Sequence, residues 1–249
     1  MFISRKYRLS RGKMILLLDE LAAMPDRAFS LYVPEDTPPA AVSEALDGAL
    51  PAEFMPPGIA DIIDGSKTGA VLFWGPHHRC LVLPPFPLQE SRLADGYHTG
   101  PLRALLSTDL IIGLVLVRLG AYSVGVCRGT TLLTSKTGTG LVHARHKKGG
   151  SSQARFARHR EKQIETFLDR VCGHVRVQME PHTRSLDYLV YGGARNTIIS
   201  LQKRCAFLRQ FDDRVLRLLL DIPDPRTSVL QEAVPDIWST TVIEWHDDQ

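Results

Sequence analysis

The chain has 249 residues, of which 44% are hydrophobic and 23% charged, and this balance indicates a globular protein and excludes disordered and fibrous classes. The net charge is only +3, so the total charge indicates no class of partner. The longest apolar run, Leu110 to Leu119, contains Gly113 and Arg118 and falls short of the roughly 18 apolar residues that a membrane span requires. The apolar stretch after the basic N-terminus is likewise too short for a secretory signal peptide.

The N-terminal part of the sequence alternates short helical and extended patterns. The predicted elements are, in chain order, a helix over Met14 to Met24, a strand over Ala28 to Val33, a proline-opened helix from Thr37, two hairpin strands over Gly69 to Trp74 and Arg79 to Leu83, and a short helix over Gly100 to Leu106. A boundary follows near Ser107 to Asp109.

Beyond that boundary the pattern changes to a strand meander followed by alternating helices and strands. The predicted strands are Leu110 to Leu119, Tyr122 to Arg128, Thr130 to Thr134, Leu186 to Tyr191, Val215 to Leu220 and Thr240 to Trp245, and the predicted helices are Gln153 to Val171, Thr197 to Leu208 and Ser228 to Val234. In the first of these helices one face is predicted to carry Phe156, Ile164, Phe167, Leu168 and Val171. The order favours an α/β domain with a mixed β-sheet covered by helices, at 106–249, after a smaller N-terminal α/β domain at 1–105.

The four cysteines are widely spaced, with no Cys-x-x-Cys pair. This spacing argues against a zinc ribbon and, in a chain of this size, against a disulfide framework. It predicts a protein of the reducing cytoplasm.

The most unusual segment of the sequence runs from 143 to 160. It contains six basic residues and no acid between Ala144 and Arg160, namely Arg145, Lys147, Lys148, Arg155, Arg158 and Arg160. Two glycines, Gly149 and Gly150, separate the basic approach from the basic helix. Such a segment is suited to a phosphate-rich cleft, since lysine and arginine neutralise phosphates. The alternative is a solvated surface loop with Ser152 as a helix cap.

The stretch Gly-Gly-Ser-Ser-Gln-Ala-Arg-Phe-Ala-Arg-His-Arg, from Gly149 to Arg160, resembles the Gly-Gly-Gln loop and following helix of the middle domain of eukaryotic and archaeal class I peptide release factors. The displaced glutamine is similar to that of the Vms-like release factors, which are peptidyl-tRNA hydrolases of ribosome-associated quality control. Further similarity runs through Asp95 to Asp109 and Asp187 to Gly193. A release-factor middle-domain-like fold is implied.

The resemblance implies hydrolysis of peptidyl-tRNA. The first 65 residues show no Asn-Ile-Lys-Ser motif for reading stop codons, and no third domain for a translational GTPase is found. The expected activity is therefore codon-independent release of nascent chains from stalled ribosomes or free large subunits. The expected partners are the large ribosomal subunit, ribosomal RNA and peptidyl-tRNA, with no GTPase, membrane, metal or cofactor.

The resemblance assigns the catalytic role to Gln153, within a loop formed by Gly149, Gly150, Ser151 and Ser152. Water must attack the ester carbonyl, and a neutral amide can accept from that water or donate to the developing oxyanion. An ungapped match of the helix places Ser151 at the position of the catalytic glutamine instead. Ser151 as a nucleophile is disfavoured because no nearby acid orients a histidine base for it.

Other sites and functions remain as alternatives. A tRNA endonuclease acting near the 3′ end, which would use the same RNA-binding loop, is one. The other is a ribosome-binding module that occupies the A site without catalysis. Asp212, Asp213 and Asp221 as the metal carboxylates of a nuclease are disfavoured, because the first two are adjacent in a polar turn and point apart. A metal site formed by His143, His146 and His159 is disfavoured, because no cysteine or carboxylate lies nearby.

Overall fold

The computed structural model describes residues 2–24, 27–51, 54–142 and 153–247. The chain divides into two compact units, of which the first comprises Met1–Thr108 with Pro235–Gln249 and the second comprises Asp109–Val234. The predicted extents, 1–105 and 106–249, are therefore wrong at the C-terminus, since the last strand belongs to the first unit. Within the described ranges, no helix has the length and apolar character to cross a membrane.

The first unit contains one antiparallel sheet with helices on both faces. Its strands are β1 (Phe2–Leu9), β2 (Phe29–Val33), β3 (Ala70–Trp74), β4 (Arg79–Leu83), β5 (Arg92–Asp95) and β11 (Thr240–Asp247), and its helices are α1 (Arg11–Ala22), α2 (Pro39–Ala49), α3 (Ile59–Asp64) and α4 (Gly100–Ser107). The strands lie in the order β1, β11, β4, β3, β2, β5. β11 pairs with β1 along its whole length and with β4 from Thr241 to Glu244, and this pairing places the end of the chain in the first unit.

Strand alternation explains the two cores of this unit. In β3, Val71 and Phe73 contribute to the core on the side of α1 and α4, whereas Leu72 and Trp74 contribute to the core on the side of α2 and α3. Because successive side chains of a strand point to opposite faces, an almost wholly apolar strand is covered on both sides. The predicted hairpin of β3 and β4 is confirmed.

The second unit contains a mixed sheet. Its strands are β6 (Ile111–Arg118), β7 (Ala121–Arg128), β8 (Thr131–Thr139), β9 (Tyr188–Gly193) and β10 (Val215–Leu220), and its helices are α5 (Gln153–Met179), α6 (Arg195–Arg204) and α7 (Thr227–Ile237), the last of which continues into the first unit. The order is β10, β9, β6, β7, β8. β9 is parallel to both β10 and β6, whereas β6, β7 and β8 form an antiparallel meander. The predicted mixed α/β fold is confirmed.

The core of the second unit holds α5 against the sheet. Buried residues of α5, including Phe167, Val171 and Val175, join a cluster with Tyr122 of β7 and Leu201 of α6. The helix extends to Met179, beyond the predicted end at 171, because this apolar spacing continues through its last two turns. The core therefore anchors the middle and the C-terminal end of α5.

Candidate functional site

The candidate site lies at the start of α5, three residues after the second of the two adjacent glycines of the sequence. Gln153 is the first residue of the helix, and the structure describes its backbone only. The other residues predicted for this loop lie outside the described residues, namely Arg145, Lys147, Lys148, Gly149, Gly150, Ser151 and Ser152. Three predicted residues, Arg155, Arg158 and Arg160, are described.

The first turns of α5 are exposed all the way round the helix. Every residue from 155 to 159 is exposed, and the Phe156 side chain is 58% exposed. Phe156 was predicted on the buried face, and this prediction is wrong because the sheet covers the helix only further along, around Phe167. An accessible helix end beside the predicted catalytic glutamine is compatible with entry into a narrow site.

A stripe of positive charge follows one side of α5. Arg155, Arg158 and Lys162 are exposed, and their spacing of three and then four residues places them on the same side of the helix. Arg160 lies on another side and is only half exposed. The structure thus brings Arg155 and Arg158 together, separates Arg160 from them, and adds Lys162, which lies beyond the segment that the sequence indicated.

Two of the three acidic residues of α5, Glu165 and Asp169, continue the side of the helix that carries the stripe, closer to its C-terminus, and there they pair with Arg204 of α6. Arg204 of α6 donates from Nη2 to Oδ2 of Asp169 over 2.8 Å, and its Nη1 lies 3.9 Å from Oε1 of Glu165. The hydrogen bond from Arg204 lowers the pKa of the Asp169 carboxyl, so this acid stays ionised and paired. These two acids are therefore paired within the second unit, one to two turns beyond Lys162.

A disulfide also links α5 to α6. Cys172 of α5 and Cys205 at the end of α6 are bonded, with their Cα atoms 5.4 Å apart. The expectation of reduced thiols is wrong for this pair, because packing of the two helices brings together residues that are 33 positions apart in sequence. Cys80 and Cys127 are free and buried, and burial raises the pKa of the Cys127 thiol to about 12, which makes it unreactive at neutral pH.

Two of the three carboxylates considered for a nuclease site lie beside arginines. Asp213 lies 4.0 Å from Arg214, and Asp221 lies 3.5 Å from Arg118. In the part of the chain that the structure describes, no group of three or more histidine, cysteine, aspartate or glutamate side chains is placed to hold a metal ion. No observation in these ranges favours metal-dependent cleavage.

The mixed sheet, its long covering helix and the exposed, basic start of that helix lie within a region of the chain that matches a release factor family. The chain belongs to the family described as the Actinobacteria/chloroflexi VLRF1 release factor, whose model matches residues 111–243, which are 133 of the 249 residues. The resemblance to Vms-like release factors is thereby confirmed.

The chain is also similar to archaeal release factors. It is 26% identical over 113 residues to peptide chain release factor subunit 1 of Archaeoglobus fulgidus, covering 45% of this chain and 28% of that protein. It is 24% identical over 182 residues to the protein of the same name from Saccharolobus solfataricus, covering 69% of this chain and 49% of that protein. The chain thus spans between about a quarter and a half of the length of these curated relatives.

Among solved structures, the Vms1 mitochondrial localization core is similar with a TM-score of 0.43 and 12% identity, covering 92% of each chain.

Proposed function

We propose that the protein is a codon-independent peptidyl-tRNA hydrolase that releases nascent chains from stalled ribosomes or free large subunits. The observation that carries the proposal is the position of Gln153. It is the first residue of a helix that is anchored in its middle and C-terminal end and exposed at its start, in a chain of a release factor family.

The reaction is attack of water on the ester carbonyl that joins the nascent chain to the terminal ribose of the tRNA. The tetrahedral intermediate then collapses, and the ribose 3′-oxygen leaves with a proton as the peptide acid is released. Gln153 positions the water through its amide carbonyl and stabilises developing negative charge through its N–H groups. The reaction needs no side-chain nucleophile, metal or cofactor, and most of the rate gain comes from orientation and electrostatics.

The packing of α5 supports this positioning role. The core residues Phe167 and Val171, the Arg204 contacts and the Cys172–Cys205 bond restrain the helix on two sides. A helix restrained in this way holds its first turn in place before the substrate binds. The entropic cost of ordering the glutamine on binding is therefore smaller.

The cationic stripe supports an RNA partner. Arg155 and Arg158 are exposed and three residues apart, which matches contact with successive phosphates rather than with one small anion. The partners that we propose on this basis are ribosomal RNA of the large subunit and peptidyl-tRNA, in the cytoplasm.

The test is peptide release from purified ribosome complexes stalled on a sense codon, and from large subunits that carry peptidyl-tRNA without a message. We expect release from both, with the tRNA 3′ end intact and able to be aminoacylated again. A tRNA shortened at its 3′ end would show the endonuclease instead. Binding without release would show a non-catalytic rescue module, and release only at stop codons would refute codon independence.

The stripe is tested by the Arg155→Ala, Arg158→Ala double variant. The matched control is Lys203→Ala, which removes an exposed lysine of α6. Removal of two phosphate contacts is expected to weaken binding to large subunits and to reduce the slope of log affinity against log salt by about two. The control should bind as wild type. An unchanged salt slope in the double variant would remove this stripe from the RNA contact.

A further inference from the structure

A groove beside the cationic stripe is the strongest unassigned feature of the molecule. It encloses about 330 Å³ between the end of β8 and α5, wholly within the second unit. Its apolar wall is formed by Gly140, Leu141 and Phe167, and its polar wall by Lys162, Thr166 and Arg170. Leu141 is 72% exposed, so a large apolar side chain stands open to a ligand at the edge of a charged surface.

Glycine at position 140 shapes the apolar wall. A Cβ atom added there would lie 2.5 Å from Cδ2 of Phe167, which is closer than van der Waals contact permits. The backbone N–H of Gly140 donates to the carbonyl oxygen of Gly120 over 2.9 Å, and this bond holds the chain close to the ring. The missing side chain therefore leaves the backbone beside Phe167 and the groove open.

The charge of the groove is positive and uncompensated by its own lining. No acidic residue is among the described residues that line it, because the acids Glu165 and Asp169 occupy the flank of α5 that faces Arg204. Arg170 donates one N–H from Nη1 to the carbonyl oxygen of Thr139 over 3.1 Å. A guanidinium has five N–H donors, so this bond orients Arg170 and leaves capacity for an anion.

The positive field extends past the groove. The pKa of His174, one turn further along α5, is lowered by partial burial and then by Lys136 and Arg170. Towards the helix start, Lys162 belongs both to the groove and to the stripe with Arg155 and Arg158. Lys162 thus links the groove to the cationic stripe, and the stripe gives way to the Arg204-paired acids Glu165 and Asp169 further along the same side of α5.

We propose that this groove binds one nucleotide of single-stranded RNA next to the catalytic helix, an inference that rests on the proposed function. The phosphate lies against Lys162 and Arg170, and the base lies in the apolar space beside Leu141 and Phe167. Thr166 donates its hydroxyl proton to the carbonyl oxygen of Lys162 over 2.9 Å, and its oxygen can still accept a hydrogen bond from the base edge. An unpaired nucleotide combines an anion with a flat apolar face, which is the combination that the two walls require.

The experiment measures binding of a fluorescent single-stranded RNA hexamer to the full chain by anisotropy, without ribosomes. We expect Lys162→Ala and Arg170→Ala each to weaken binding about 5- to 30-fold, which corresponds to the roughly 1–2 kcal/mol typical of such contacts. Lys203→Ala, with the same loss of charge on α6, should bind the RNA as wild type. Hydrogen exchange of α5 in each variant shows whether the helix remains folded.

A second measurement locates the base independently of folding. Wild-type protein crosslinked to a hexamer containing 4-thiouridine should carry the crosslink within residues 140–142 or 163–170. Crosslinks elsewhere, or an Arg170→Ala variant that binds as wild type, would overturn the proposal. Equal competition by a poly-glutamate peptide of the same charge would also overturn it, since the groove would then accept any polyanion.

Failure of this proposal is distinguishable from failure of the proposed function. Peptide release by wild type together with unchanged RNA binding in both variants refutes the groove alone. RNA binding in the groove without peptide release from any ribosome complex supports the groove and refutes the hydrolase.

Discussion

Replacement of Cys172 by serine removes the covalent link between α5 and the end of α6 at the helix that carries Gln153. Cys172 is half exposed, whereas Cys205 is fully buried, so substitution at position 172 disturbs the core least. The core residues and Arg204 still hold α5 on the sheet in the variant. The native fold is therefore expected to survive, with a lower free energy of unfolding.

The magnitude follows from the length of chain that the bond closes. Cys172 and Cys205 are separated by 33 residues, and closure of a loop of that length in the unfolded chain is worth roughly 3–4 kcal/mol at 25 °C on the chain-entropy model. This is a large part of the total stability of a typical domain, which is about 5–15 kcal/mol. The loss should fall on the second unit, since both cysteines lie there.

The assay is hydrogen exchange across a urea series, measured on peptides from β6 and β9, with β3 and β4 of the first unit as the internal control. Without reductant, the variant should lose roughly 3–4 kcal/mol of protection in β6 and β9 relative to wild type. With dithiothreitol the two proteins should converge, because wild type then lacks the bond as well. The reasoning would be refuted if unfolded, unreduced wild type showed four titratable thiols, since no disulfide would then be present. It would also be refuted if wild type had equal protection with and without reductant.

Two further predictions concern stability. Burial lowers the pKa of His78 below its usual 6.5, and the attraction of Glu244 opposes this effect only in part. As pH falls below 6.5, the unfolded chain therefore takes up the proton before the folded chain does. The folded state consequently loses stability in that pH range. Between pH 7.5 and 5.5, the melting temperature of His78→Gln should therefore fall less than that of wild type. Part of the fall should remain in the variant, because the pKa of His174 is lowered as well. An equal fall in both proteins would contradict the assignment to His78. Gly193 has a φ of 105°, and an added Cβ would lie 2.3 Å from a backbone oxygen of β6, so Gly193→Ala should cost roughly 2–4 kcal/mol in urea unfolding. Gly173→Ala is the matched control, because Gly173 is an exposed residue of α5 with open space around an added Cβ. This variant should gain roughly 0.5–1 kcal/mol in the free energy of unfolding. A loss of stability in both variants would exclude local strain as the cause.

Local patterns predicted most of the helices and strands, because each depends on hydrophobic spacing within a few turns. The strand β1 was missed, since Arg5, Lys6 and Arg8 make its sequence look like a solvated basic arm. Its position at the edge of the sheet explains those charges, which discourage pairing with other chains. The short elements α3 and β5 were missed because four to six residues carry too little periodicity.

Long-range pairings could not be predicted from these patterns. β11 returns to the first unit through backbone hydrogen bonds to β1 and β4, and hydrogen-bonded pairing leaves no trace in the composition of a strand. The Cys172–Cys205 bond and the contact of Gly140 with Phe167 likewise join residues that are about 30 positions apart. The loop motif was visible because its glycines, basic residues and glutamine are contiguous.

The most direct test of the proposed hydrolase is single-turnover peptide release by Gln153→Ala on saturating ribosome–nascent-chain complexes, with binding measured in parallel. Loss of one positioned amide at the transition state is expected to slow release about 10²–10³-fold, while the affinity for the complex stays near wild type. Ser151→Ala is the control for the alternative alignment and should slow release only modestly. A Gln153→Ala protein that releases peptide as fast as wild type, or an inactive Ser151→Ala protein beside it, would contradict the assignment of catalysis to Gln153.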